Sequence, residues 1–143
     1  VHSISLSFPE VYLNKAEALA MLDRPDEAIE TLQELRVKRM LDAGTINLTG
    51  EDLVKFIREE RRRELCFMGQ RWFDLKRYAV HPKYPKKTRI EHPYYTWTGS
   101  SVMLEKTYVL EEYPGDGGWL MPFPSSALIS NEGALKNNMR PER

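Results

Sequence analysis

The chain has 143 residues, the size of one ordinary domain able to bury about two thirds of its unfolded surface in a single core. Hydrophobic residues make up 41% and charged residues 29%, with 21 basic against 21 acidic side chains, which excludes a disordered or fibrous chain and reads as soluble and globular. Zero net charge removes the long-range field that gathers nucleic acid or an anionic membrane, and the one locally basic stretch, Lys83 to Arg89, is short and proline-rich, so no nucleic-acid partner is expected.

At the start, Val1-His2-Ser3-Ile4-Ser5 has neither a charged n-region nor an apolar h-region, and no apolar run anywhere approaches the roughly 18 residues that span a bilayer. The chain opens almost directly into a helix without an initiator methionine, and a fragment of a longer protein is expected. From Pro9 to Leu22, Tyr12, Leu13, Ala16, Leu19 and Ala20 fall on one face at helical spacing, with Pro9 suited to a first turn. Asp23-Arg24-Pro25-Asp26 breaks that pattern, with Asp23 or Arg24 as cap and Pro25 opening a second helix that is predicted to run to about Asp42 and stop before Gly44. Its apolar face is Ala28, Ile29, Leu32, Leu35 and Met40. Ala16 and Ala28 stand where two antiparallel helices can approach closely, at the small-residue spacing of a tetratricopeptide-like hairpin. A lone hairpin cannot bury its own face and needs a cover.

A third helix starts from Thr49 as N-cap, with Asp52 as capping-box partner and Leu48 placed to staple against Leu53, and is predicted to continue through Met68 to a Gly69 C-cap. Cys66, the single cysteine, lies inside this pattern; it is expected to pack as a small hydrophobe and excludes an intrachain disulfide. Gln70 to Ala79 reads as a short fourth helix with Trp72 and Phe73 in the core, ended by Pro82 and Pro85. Beyond it, Tyr94 to Thr98 and Val102 to Leu110 are β-prone around Gly99-Ser100-Ser101, compatible with a hairpin or a loose excursion. The turn cluster Tyr113 to Gly118 leads to an extended strap, Trp119 to Pro124, predicted to lie across the first two helices and complete their core, and a short helix after Pro124 closes the chain.

Two groups of residues invite a functional reading. On a helical wheel, Glu60, Arg61 and Glu64 share the arc of Leu53, Ile57, Phe67 and Met68, and ionised carboxylates there need partners, for which Arg61, Arg71, Arg77 or exposed backbone N–H groups are the candidates. Glu59 and Arg63 are expected to form an exposed pair. Two carboxylates four apart could also serve as general acid and base or as metal ligands. Against that, none of His2, His81 and His92 stands at the Glu-x-x-His spacing of a di-metal bundle, and no phosphate loop, Cys/His cluster or nucleophile elbow is present. A structural ion network is the expectation, with no reaction, metal or cofactor. The second group is Tyr94, Tyr95 and Trp97, whose rings either stack on the apolar faces of sugars or form a satellite core beneath a long loop.

Three stretches carry a family resemblance: Glu10-Val11-Tyr12-Leu13-Asn14-Lys15-Ala16-Glu17-Ala18, Ile57-Arg58-Glu59-Glu60-Arg61-Arg62-Arg63-Glu64-Leu65 and Gly69-Gln70-Arg71-Trp72-Phe73-Asp74-Leu75-Lys76-Arg77. Together they resemble the C-terminal signature of SusD/RagB proteins, and Trp119 to Pro124 with Asn131 is similar to the tail of those chains, although Lys136-Asn137-Asn138 departs from the usual Gln-Asn-Pro ending. The resemblance implies a mainly α fold with a tetratricopeptide-like helical hairpin, further helices, a long loop or β-hairpin excursion and an extended C-terminal strap. On this reading residues 1–143 are one C-terminal portion, with a helical core over 8–80, the excursion over 81–118, and the strap and terminal helix over 119–143. It further implies a non-catalytic surface lipoprotein of Bacteroidetes-type bacteria, anchored in the outer membrane through a lipidated N-terminal segment absent here. Its implied partners are oligosaccharide or another nutrient, a TonB-dependent SusC-like transporter, and the N-terminal half of the same protein. No site residue is carried over from the family. The rival reading, from the Ala16 and Ala28 hairpin alone, is a cytosolic tetratricopeptide-like interaction domain.

Overall fold

The computed structural model describes residues 7–139, so the opening segment Val1 to Ser5 and residues 140–143 of the terminal segment lie outside the described residues. Five α-helices and one two-stranded antiparallel sheet make the described chain mainly α. It divides into two compact units, Val1–Asp74 and Leu75–Arg143.

In the first unit, α1 (Phe8–Met21) and α2 (Pro25–Arg36) form the expected hairpin, with Pro9 and Pro25 in their first turns. Asp23 takes a left-handed φ of 58°, which Asp tolerates better than most residues, and Arg24 is the N-cap of α2. Leu13, Ala16, Leu19 and Ala20 of α1 are buried with Ala28, Leu32 and Leu35 of α2. The cover this hairpin needs is α3 (Gly50–Glu64), which packs against both helices and adds Leu53, Val54 and Ile57 to the core. Each such aliphatic side chain contributes roughly 1.5–3 kcal/mol on burial.

The helix ends depart from the sequence pattern. The second helix stops at Arg36 rather than near Asp42, because side chains of its last turns hold the returning chain: Gln33 Nε2 donates to the Gly44 carbonyl (2.6 Å) and Arg36 Nη2 to the Ala43 carbonyl (2.8 Å). Met40 and Leu41 are exposed, so continuing the helix would have buried nothing, while Ile46 in the following loop is buried instead. Thr49 occupies the N-cap of α3 but makes no side-chain cap bond; Asp52 faces Lys55 (3.5 Å), which also pairs with Glu51 (2.9 Å). The third helix ends at Glu64, not Met68. Leu65 caps it, and Phe67 (φ 62°) and Gly69 (φ 74°) turn the chain in left-handed steps, leaving Phe67, Met68 and the thiol of Cys66 exposed. Cys66 is therefore not a core hydrophobe. Phe73, on α4 (Arg71–Ala79), is also exposed rather than core, and Trp72 is half-buried.

In the second unit, β1 (Ile90–Trp97) and β2 (Val102–Leu110) pair as a hairpin from Ile90↔Leu110 to Trp97↔Val102, with a bulge at Tyr94/Tyr95. Trp119 closes a short 3-10 turn, Gly117–Trp119, and is almost completely buried. Its Nε1 donates to the Glu111 carbonyl (2.6 Å), its ring meets Tyr113 edge-on at 6.1 Å, and Lys76 Nζ donates to its carbonyl (3.3 Å). Asp116 holds the turn by accepting from the N–H of Gly118 (2.7 Å) and of Glu111 (3.0 Å). The strap is thus anchored through residues of its own unit, and within the first unit α3 is the element that covers the first two helices. Leu120, Met121 and Phe123 stay exposed; Asn137 Oδ1 accepts the Phe123 N–H (2.7 Å), and α5 (Ser125–Ser130) follows.

Candidate functional site

The charged face of α3 is built from the helix repeat. Arg58 and Arg61 follow Val54 and Ile57 at intervals of four, so the turns that bury the aliphatic residues bury the guanidinium groups too. Isolated charges there would be costly, and each has a partner. Glu60 Oε2 accepts from Arg36 Nη1 (2.8 Å) and Arg63 Nη2 (2.7 Å). Arg61 donates through Nε to Asp74 Oδ2 (2.7 Å) and through Nη1 to Asn14 Oδ1 (2.8 Å). Arg58 Nε donates to Glu17 Oε1 (3.0 Å), a pair of which both members are buried. The Glu17 and Arg58 pair and the partners Arg36, Asn14 and Asp74 escaped the sequence reading, although Glu17, at i+4 from Leu13 and i−3 from Ala20, could have been found on the wheel of α1.

Of the residues nominated from sequence, Glu60 and Arg61 are buried, but they belong to separate pairs. Glu64 accepts from Arg39 Nε (2.9 Å) at the surface, and that hydrogen bond raises the Arg39 pKa. Arg63 serves Glu60, so the exposed partner of Glu59 is Arg62 (2.8 Å), not Arg63. Arg77 lies with its guanidinium over the Tyr78 ring at 4.7 Å. For Arg71 no carboxylate partner is found among the described residues.

The aromatic group lies on the hairpin. Tyr94, Tyr95 and Trp97 are 43%, 55% and 66% exposed, so they form no satellite core. They also do not form one cluster. Successive strand residues face opposite sides, which places Tyr95 and Trp97 together with their cross-strand partners Leu104 and Val102. Tyr94 shares the other face with Thr96 and meets Tyr108 edge-on at 6.0 Å, with Lys106 Nζ 4.3 Å above the Tyr108 ring. The bulge leaves Glu105 of β2 without a cross-strand partner, and its carboxylate contacts Thr96 on the Tyr94 side. The Tyr95 and Trp97 face is an exposed apolar strip with one phenolic hydroxyl, able to stack on a flat apolar surface and to hydrogen-bond at one end. Among the described residues no group of acidic, histidine or cysteine side chains suited to a metal is present, and no helix is long and apolar enough to cross a membrane.

A helical hairpin covered by an arginine-rich third helix, followed by a β-hairpin and a Trp-anchored strap, defines the class. The model of the SusD family matches residues 8–140, and the chain belongs to that family. Among curated proteins it is similar to two from Formosa agariphila. One, SusD-like protein P38, is 42% identical over 82 aligned positions, covering 52% of this chain and 16% of its own length. The other, SusD-like protein P2, is 27% identical over 146 aligned positions, covering 94% of this chain and 25% of its own length. The chain thus spans a quarter or less of the length of these relatives. No solved structure matches it.

Proposed function

We propose that this chain is the C-terminal portion of a non-catalytic nutrient-binding protein of the outer membrane, which captures oligosaccharides and passes them to a TonB-dependent, SusC-like transporter. The observation that carries this reading is the family match across nearly the whole chain. The site chemistry supports it: Glu60 and Glu64, the two carboxylates that could have served as acid and base, are both engaged by arginines. The exposed Tyr95 and Trp97 face offers a stacking surface for a sugar ring, with Tyr94 available from the opposite side of the hairpin. In the full-length protein a lipid anchor outside these residues holds the whole at the cell surface, and the rest of the protein supplies the remainder of the ligand surface. The rival interaction-domain reading loses its motivation, since α3 already occupies the face that a further helical repeat would cover.

The test is glycan binding by the full-length protein, measured by calorimetry, with and without Trp97→Ala. Loss of one stacking ring should weaken binding by about tenfold, equivalent to roughly 1.4 kcal/mol. Full-strength binding by the variant would remove the hairpin from the ligand surface. Failure of the full-length protein to bind any saccharide, or to co-purify with a transporter, would overturn the reading as a whole.

A further inference from the structure

The turn between α3 and α4 borders an open cavity of about 380 Å³, within the range of small-molecule sites. It is lined by Arg61, Arg62, Cys66, Phe67, Gln70 and Arg71 among others, with Asp74 as its one carboxylate. Three arginines against one carboxylate make the wall positive. Arg61 already serves Asp74 and Asn14, and Arg62 donates through Nε to Glu59. Arg71 is different: among the described residues its half-buried guanidinium has no acidic partner, although its position in the sequence nominated it for one. A guanidinium presents five N–H donors in a rigid fork, and with a second, bonded through Nε to Glu59 and with no other partner among the described residues, it matches a carboxylate or sulfate geometrically. Phe67 adds an apolar surface. Its ring is fully exposed, lines the same cavity, and is carried there by a left-handed backbone conformation that bulky side chains rarely adopt.

From this juxtaposition we infer that the cavity is a subsite for an acidic saccharide, with the sugar ring against Phe67 and its carboxylate or sulfate group on Arg71 and Arg62. The inference rests on the glycan-binding reading above and names a substrate class within it. An inorganic oxyanion alone would satisfy the arginines but leave the Phe67 ring and most of the volume unused.

The test titrates this chain by calorimetry with three probes: trigalacturonate, the neutral galactose trisaccharide of the same linkage, and sodium sulfate. The acidic trisaccharide should bind at least about tenfold more tightly than the neutral one, and the difference should shrink as salt rises to about 0.5 M. Arg71→Gln should abolish the preference without changing the melting temperature, since Arg71 holds no described partner, and Phe67→Ala should weaken both sugars alike. Equal affinity for the two trisaccharides, or a preference that survives Arg71→Gln, overturns the inference while leaving glycan binding at the hairpin intact. Sulfate binding as tight as trigalacturonate also overturns it, reducing the cavity to an oxyanion site. Destabilisation by Arg71→Gln in the full-length protein but not in this chain overturns it too, because the guanidinium would then be occupied by a carboxylate from elsewhere in the protein.

Discussion

Glu60 and Glu64 lie one helical turn apart on α3, yet the energetics assign them different weights. Glu60 is bonded to Arg36 with both side chains nearly buried, so Glu60→Ala leaves a guanidinium underpaired in a poor solvent and should cost about 3 kcal/mol. Glu64 pairs with Arg39, whose side chain is half exposed, and water and salt replace much of what that pair contributes. Glu64→Ala should therefore melt with the wild type. Thermal unfolding of both variants checks this contrast, and equal losses would show that burial does not govern the network. A pair in the α1–α2 turn gives a pH-dependent readout. The hydrogen bond from Arg24 lowers the Glu27 pKa, so the pairing favours the fold above the pH at which an unpaired carboxyl titrates and is lost as pH falls through the lowered folded value. A carboxyl-detected NMR titration should find Glu27 titrating below the ordinary carboxylate range, and Arg24→Ala should move it back up. An unchanged midpoint in that variant would mean that the pair does not form in solution.

At the scale of the element, the decisive features are where each helix stops and which way each strand residue faces. The first three helices have starts legible in their proline and cap positions, because those signals act within one turn. Their ends depend on what the next residues can bury. Val37 and Leu41 stay largely exposed, so α2 gives way to a loop stitched by Gln33 and Arg36, and a count of apolar residues at helical spacing cannot see that. The strap contributes through its first residue. Trp119 is buried against Tyr113 and bonded to Glu111 and Lys76, so Trp119→Ala should cost about 3–5 kcal/mol within the Leu75–Arg143 unit. Truncation before Trp119 should abolish amide protection across 75–118 in hydrogen exchange while α1, α2 and α3 still melt cooperatively, since α3 covers the α1–α2 hairpin. Loss of the cooperative helical melt on truncation would restore the strap to that core.

For the whole molecule, carbohydrate affinity of this chain by itself is expected to be weak, because the exposed rings of the hairpin face opposite sides, whereas tight capture needs several convergent contacts. Submicromolar binding of a simple oligosaccharide by these 143 residues would mean that the ligand site is complete within them. The mainly α fold class, the helical hairpin and the family were readable from the sequence by itself, while residues 94–110 left a hairpin and a loose excursion both open: periodicity, proline position and the stretches around Glu10, Arg61 and Trp72 are local properties, set by neighbours three or four residues away. Tertiary structure alone decided the partners of the charged residues. Arg61 bonds Asp74 and Asn14, Arg58 bonds Glu17, Arg36 bonds Glu60, and Arg71 opens onto a cavity, because a guanidinium takes whichever carboxylate the packing of another helix carries within about 3 Å. The split of Tyr94 from Tyr95 and Trp97 has the same origin. Three aromatic rings nearly adjacent in sequence become two surfaces once the backbone is extended and paired, since neighbouring positions on a strand face opposite ways and only the register says which cross-strand residues join each.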